Sequence, residues 1–288
     1  MKSHSLIIAK KELMDSIRSR MLWGAVVTLV LMAVSSTISM YLNAPPPASL
    51  GVVAENIPLN LFRFMPIIAL LSGYKAVVGE RESGSIRFLL GLPTTRREIL
   101  FGKLLGRSIV FTIALLTSVF LLVALNIVLH SGVALPQLMA HTALLLLYGL
   151  VWVGIGVGIS AAATTRFQAV GGVFGLYAIT HFFWQQNVLP ILAYLFADGA
   201  SMGGLKPIAF ADGPTWYLYV QRVNPVKIYQ ASRGILLELL ESGNPNADAA
   251  ITVPMNVPEN VFGFVVLFLW VAFPLSIGYW RFSRAEVQ

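Results

Sequence analysis

Two carboxylates, Glu80 and Glu82, open the most heavily charged segment of the chain, GERESGSIRFLLGLPTTRREILFGKLLGR at residues 79–107. Arg81, Arg87, Arg96 and Arg97 lie in the same stretch, with Gly84, Ser85, Leu89, Leu90 and Pro93 between them. Acids and guanidiniums interleaved with apolar residues can form ion pairs or grip a partner; nothing here pairs a nucleophile with a base. A second polar group, His181, Gln185, Gln186 and Asn187, interrupts an apolar run. In hydrocarbon such groups are costly unless they are paired, which makes each a candidate for function. There is no G-x-x-x-x-G-K-[ST] nucleotide loop, and the glycine-rich runs GVGIS and GGVFG sit in apolar sequence with no lysine after them. The chain has no cysteine, and His130, His141 and His181 show no paired-ligand spacing. The sequence thus predicts no catalytic set, no metal site and no cofactor bound by this chain, and no enzyme. The methionines are scattered and read as packing.

The elements that carry these residues are set by composition. Of 288 residues, 57% are hydrophobic and 11% charged, against about 25% charged in a soluble domain. Residues 108–165 and 167–197 hold no Asp, Glu, Lys or Arg, and each run exceeds the roughly 20 residues that cross a bilayer. The expected fold is an all-α membrane protein with about six transmembrane helices, near 21–42, 59–79, 108–129, 141–163, 167–197 and 260–280. The first run reads as a retained span rather than a signal peptide, because no A-x-A-like site closes it. Arg63 and Lys75 lie near opposite ends of the second span, where both can snorkel.

Charge gives the orientation. Segments 1–20, 80–107, 164–166 and 281–288 hold 14 Lys and Arg, whereas 43–58, 130–140 and 198–259 hold 4. Both termini are expected in the cytoplasm. That asymmetry also accounts for the net charge of +7, and no basic-aromatic stretch suited to nucleic acid occurs.

Local patterns fill in the connections. Leu6, Ala9, Leu13 and Ile17 fall at helical spacing, which predicts an amphipathic helix over 1–20 in the membrane interface. In loop 80–107, Ile86, Leu89 and Leu90 form a short apolar face that Leu92-Pro93 ends. Thr94 or Thr95 can cap a following helix, with Glu98 near N3. That helix-turn-helix is either a connector packed on its own bundle or a docking surface. Gly154 and Gly158 form a GxxxG, for a dimer seam or for internal packing. The run 167–197 is too long for one plain helix, and a break near Pro190 would turn residues 188–197 back into the membrane. Its polar group would line a path or outer gate, the alternatives being helix-to-helix hydrogen bonds or emergence into the interface. In the outer loop 198–259, an amphipathic helix is expected over 225–240, with Trp216, Tyr217 and Tyr219 in an aromatic belt.

The pattern Glu80-x-Glu82-x-Gly84-Ser85, Leu89-Leu90, Leu92-Pro93, Arg96 or Arg97, Ile99, Gly102-Lys103-Leu104 resembles the cytoplasmic loop of ABC-2 type transporter permeases. The six-span layout and the helix before the first span match that family over most of the chain. Asn224-Pro225 with Tyr229-Gln230 resembles the subgroup that includes permeases tied to maturation of the multicopper enzyme nitrous oxide reductase. The resemblance implies a permease, in a dimer, coupled to a separate cytosolic ATPase that uses ATP and magnesium. It implies that about 82–91 is a coupling helix seated on that ATPase, and export as the activity. Homodimer, lipid bilayer and an extracytoplasmic partner complete the expected contacts. The other functional classes are an ATP-independent carrier or channel, for which no internal repeat or mid-span carboxylate speaks, and an intramembrane enzyme or haem anchor, which lacks its residues.

Overall fold

The computed structural model describes residues 4–18, 20–43, 50–86, 94–130, 132–196, 215–241 and 258–284. Every regular element among them is helical. The chain divides into two compact units, Met1–Val173 with Val271–Gln288, and Phe174–Trp270.

In the first unit, α1 (His4–Ile17) precedes α2 (Arg20–Asn43), the first long apolar helix. The second expected span departs from 59–79. Helix begins at Leu50, inside the segment expected to be outer loop: α3 (Leu50–Phe62) and α4 (Met65–Gly73) meet at a 47° bend. Pro66, in the first turn of α4, explains the break, since proline cannot continue the hydrogen-bond ladder and disfavours helix in the residue before it. Exposed Arg63 lies in the bend. A single-turn helix, α5 (Val78–Glu82), follows. Between α4 and α5 the backbone turns, and the N–H groups of Val77 and Val78 both donate to Ser160 Oγ, at 3.0 and 3.2 Å.

The third span is part of one continuous helix, α6 (Arg96–His130), of 35 residues. Its start is a capping box. Thr95 N–H donates to Glu98 Oε2 at 2.8 Å, and Glu98 N–H donates to Thr95 Oγ1 at 3.2 Å. This selects Thr95 over Thr94 and satisfies two otherwise orphaned donors. Helix α7 (Leu135–Ala162) begins with Pro136 in its first turn and ends where Ala163 turns extended. Apolar on all sides, α7 is the axis of the unit. Trp152, Val153, Ile155, Val157 and Ala161 are fully buried on it. The last long helix is α12 (Pro258–Arg284). Among the described residues three helices are individually long and apolar enough to cross a membrane, four if the bent pair is one span.

The glycines of α7 decide the alternatives left by the sequence. A methyl group on Gly158 would stand 2.5 Å from the Pro274 carbonyl carbon, and one on Gly154 2.9 Å from Val271 Cγ1. One on Gly156 would stand 3.2 Å from the Leu70 carbonyl oxygen, and one on Gly149 2.1 Å from the Phe111 ring. The GxxxG is filled from within the chain by α12, while Gly156 admits α4 and Gly149 admits α6. Small residues let the backbones meet.

The expected fifth span is helical throughout: α8 (Arg166–Ala178), a π-helix (Ile179–Val188) and α9 (Leu189–Phe196). The irregularity is the π-helix, upstream of the expected break at Pro190. The backbone at Leu189 is ordinary right-handed helix, with its N–H bonded five residues back to Trp184. Within the second unit, Trp184 and Leu189 pack on Tyr217 of α10 (Thr215–Gln221). Tyr217 is therefore buried, not part of a lipid-facing belt. Helix α11 (Pro225–Glu241) forms over the expected range, with Ile228 and Ile235 buried and Leu239 exposed.

Substituting Gly158→Leu should lower stability by about 3 kcal/mol through overpacking. Gly171→Ala, where a new methyl would meet nothing within 4 Å, should leave the thermal midpoint in detergent nearly unchanged.

Candidate functional site

Three consecutive residues on the one turn of α5 hold three different elements. Successive side chains on a helix point about 100° apart, so a single turn can reach in three directions. Glu80 Oε1 lies 2.7 Å from Lys103 Nζ on α6. Arg81 Nη1 donates to the Ala163 carbonyl, just past the C-terminal end of α7, at 2.6 Å. Glu82 Oε1 accepts the backbone N–H of Arg166 at 2.6 Å, and its Oε2 lies 2.5 Å from Arg166 Nε. Arg166 opens α8, so the Glu82 carboxylate meets the positive end of that helix.

Lys103 is the buried centre of this corner, with no exposed surface. Its ammonium also meets Glu12 Oε1 of α1 at 2.6 Å, and Glu12 Oε2 meets Arg107 Nη2 at 2.6 Å. Two acids and two cations thus form a neutral network. Buried charges persist only when paired and hydrogen-bonded in this way. Burial pushes the Glu12 carboxyl up. Lys103 and Arg107, a hydrogen bond from Lys103 and a weaker pull from Lys11 outweigh it and hold the carboxyl below its ordinary value. Close approach of α1 requires Gly102 and Gly106: methyl groups there would stand 2.8 Å from Ile8 Cβ and 2.6 Å from Glu12 Cβ. The buried face of α1 is therefore Ile8, Ala9 and Glu12, while Leu6 and Ile17 of the expected apolar face lie on the surface of the protein.

After α5 the chain turns at Gly84, whose φ of +73° is a left-handed conformation that suits glycine. Ser83 Oγ and Ser85 Oγ lie 2.9 Å apart across the turn, and Ile86 is buried. Arg87, Leu89, Leu90 and Pro93, and with them the helix expected over 82–91 beyond Ile86, lie outside the described residues. On the far side of the loop, Arg96 donates to the Phe282 carbonyl and lies over the Phe282 ring. Arg97 Nε donates to the Tyr279 hydroxyl at 3.0 Å. Glu80, Glu82, Arg96 and Arg97, expected to face a partner, are engaged within their own chain.

The second polar group is not gathered into one pocket. His181 stacks on Tyr177 with ring centres 4.2 Å apart, and its Nδ1 lies 3.1 Å from Thr180 Oγ1. Gln186 and Asn187 are exposed on the π-helix, and the side chain of Gln185 lies outside the described residues. The π-helix is pinned by Asn224. Its Nδ2 donates to the Thr180 carbonyl at 2.7 Å, while its Oδ1 accepts the Val226 N–H at 2.8 Å and caps α11. Sequence reading singled out Asn224-Pro225 without this reason. It also missed Glu12, Arg107, Ser160 and Phe282. Only Glu12 carried a local signal, an acid at i+4 from Ile8 on α1.

A polytopic helical membrane protein with an ion-paired corner beside its long apolar helices fits the membrane component of a transporter. The chain belongs to the ABC-2 transporter family, whose sequence profile, described as ABC-2 family transporter protein, matches residues 6–287. It is 29% identical over 293 residues to the probable ABC transporter permease protein NosY of Pseudomonas aeruginosa, covering 97% of this chain and 98% of that one. The probable NosY permease of Stutzerimonas stutzeri is 30% identical over 292 residues, covering 96% and 97%. The chain is thus a membrane permease of an ABC transporter, and that family membership implies an ATPase partner. The resemblance read from the loop is borne out.

Lys103→Met should destabilise the protein by about 3–5 kcal/mol, because it strands Glu80 and weakens the hold on Glu12 inside the corner. A carboxyl held low stabilises fully above its ordinary value of 4.5 and loses that contribution as pH falls toward its folded value. The melting temperature should therefore fall as the pH drops below about 4.5. Glu12→Gln should be less stable at neutral pH and show a shallower acid drop.

Proposed function

We propose that this permease is the membrane half of an ATP-driven exporter, with six spans and both termini in the cytoplasm. The 14-to-4 Lys and Arg asymmetry supports that orientation. ATP and magnesium are bound and used by a separate cytosolic ATPase, and this chain binds neither. The observation that carries the reading is the three-way hold of α5. Force applied to the loop beyond Gly84 reaches α6 through Glu80, the end of α7 through Arg81 and the start of α8 through Glu82. A corner tied to three helices can tilt them together, whereas a loose loop would absorb the push. In this reading residues 82–91 seat on the ATPase, with Gly84, Ser85, Arg87, Leu89, Leu90 and Pro93 forming the seat. Glu80, Glu82, Arg96 and Arg97 hold it in place.

The permease works as a homodimer, with the path between two copies. Exposed Gln186 and Asn187 on the π-helix favour this placement, since a polar group facing away from its own chain would otherwise meet lipid. His181 and Gln185 belong to the same gate. The outer segment 198–259 offers the surface for an extracytoplasmic partner.

Co-expression with candidate ABC ATPases should yield, for the cognate one, a stable complex whose ATPase activity responds to the permease. Glu82→Ala should keep the fold but lower that response about fivefold or more, the scale of a 1–3 kcal/mol coupling. If no ATPase associates with the intact chain, or transport in sealed vesicles proceeds without one, the carrier or channel reading replaces this one.

A further inference from the structure

One guanidinium lies where a bilayer is least able to hold it. By sequence Arg63 falls near the end of a span, but the 13 residues of α3 precede it. Contacts with α7 fix its depth. The Leu50 carbonyl accepts the Ala134 N–H at the head of α7, at 3.4 Å. The Phe62 and Tyr148 rings lie 5.3 Å apart, centre to centre. A methyl on Gly73 would stand 2.9 Å from the Val157 nitrogen, and Val77 reaches Ser160 near the other end of α7. Helix α7 has 28 residues, about 42 Å of length, and Tyr148 is at its midpoint. Arg63, next to Phe62, therefore sits near the middle of a hydrocarbon layer about 30 Å thick.

Arg63 is exposed in the break between α3 and α4, and no group among the described residues pairs with it. Snorkelling serves residues near helix ends, not at mid-depth. The break does not neutralise the charge either. The carbonyl end of α3 and the amide end of α4 bring about half a charge each, of opposite sign. No carboxylate of the chain answers it: residues 20–54, 56–79, 99–197 and 260–285 hold no Asp or Glu. Glu55 lies two turns outward on α3, about 12 Å along the axis, and is engaged elsewhere. A second copy has the same sequence and brings no other acid to this depth. The surroundings are polar as well. Asn60, one turn before Arg63, accepts a hydrogen bond from exposed Ser36 Oγ at 3.0 Å and donates to Thr37 Oγ1 at 3.3 Å. By contrast, every exposed side chain of α6 over 112–129 is apolar, as a lipid-facing surface should be.

We infer that Arg63, with the Asn60 amide beside it, is a mid-membrane binding site for an oxyanion carried by the cargo of this permease. A charged side chain at this depth faces a water-filled path and marks the route of a substrate. The planar guanidinium presents its N–H groups as a fork that fits carboxylate, sulfate and phosphate oxygens, and it keeps its charge at any working pH. A break in a membrane helix beside the site is the arrangement in which transporters hold substrates near the midplane. The inference deepens the exporter reading by giving the cargo a negative charge, and it rests on that reading for the direction and the drive.

The chain has no cysteine, so Ser36→Cys places a single thiol beside the site. The full-length variant, in phosphatidylcholine nanodiscs, is labelled with anionic sulfonatoethyl methanethiosulfonate and with the cationic trimethylammonioethyl reagent. Each rate is divided by that of a free thiol in solution. The anionic reagent should be favoured about tenfold, the scale of one nearby charge, and Arg63→Gln should abolish the preference. Excess inorganic phosphate should slow the anionic reagent only while Arg63 is present. Should Arg63→Gln not fold, Arg63→Lys takes its place: it should keep the charge preference and lose the phosphate protection, and unchanged protection would overturn the role of the guanidinium. Protection by phosphatidylglycerol in the bilayer but not by soluble phosphate would keep the site and make its occupant a lipid headgroup. No labelling by either reagent would put this face in lipid and overturn the proposal, as would a preference untouched by Arg63→Gln. ATPase association is measured separately. An ATPase that binds a permease without charge preference sinks this inference alone, whereas the preference without any ATPase leaves an anion carrier and sinks the exporter reading.

Discussion

Lys103 is the residue on which the corner depends. A fully buried ammonium is tolerable only with carboxylates against it, and two are supplied from elements far apart in sequence, Glu12 on α1 and Glu80 on α5. Arg107 completes the neutrality by taking the second oxygen of Glu12. No member can leave alone without stranding an opposite charge. The first helix, the turn after the second apolar segment and the long helix α6 are bound into one unit by that requirement.

The rest of the corner follows. Gly102 and Gly106 bring α1 close enough for Glu12 to reach Lys103. Glu80 fixes the azimuth of α5, and a single helical turn then carries Arg81 to the end of α7 and Glu82 to the start of α8. Ser160 closes the same junction from α7 by accepting two backbone N–H groups that the turn leaves without helical partners. Beyond this rigid piece Gly84 reverses the chain in a conformation glycine adopts without strain. The second unit shows a related economy. Asn224 caps α11 and ties it to the π-helix with one side chain.

Much of this was readable before any coordinates. Apolar runs free of charge mark the long helices, and the Thr95-to-Glu98 spacing marks the start of α6 as a capping box. The loop pattern, together with the span layout and the helix before the first span, pointed to the family. Less legible was which way the loop's charges face. Glu80, Glu82, Arg96 and Arg97 read equally well as a docking surface, because charge at a surface and charge in a buried network have the same local sequence. The bend before Pro66 and the start of helix at Leu50 were missed because α3 is too short to register as a membrane span. The π-helix was missed because i-to-i+5 bonding leaves no periodic signature in ten residues.

Sequence by itself determined the class: a bilayer demands long uncharged helices, and their length and spacing survive any arrangement of the bundle. It also narrowed the start of α6 to a capping box at Thr94 or Thr95, which depends on neighbours within a few residues. Tertiary structure alone decided the partners. Glu12 meets Lys103 across 91 residues of chain and Arg81 reaches Ala163 across 82. The glycines of α7 proved to be contact points for α4, α6 and α12. Such pairings depend on how helices pack in three dimensions, and helical periodicity fixes which residues share a face but not which helix that face will meet.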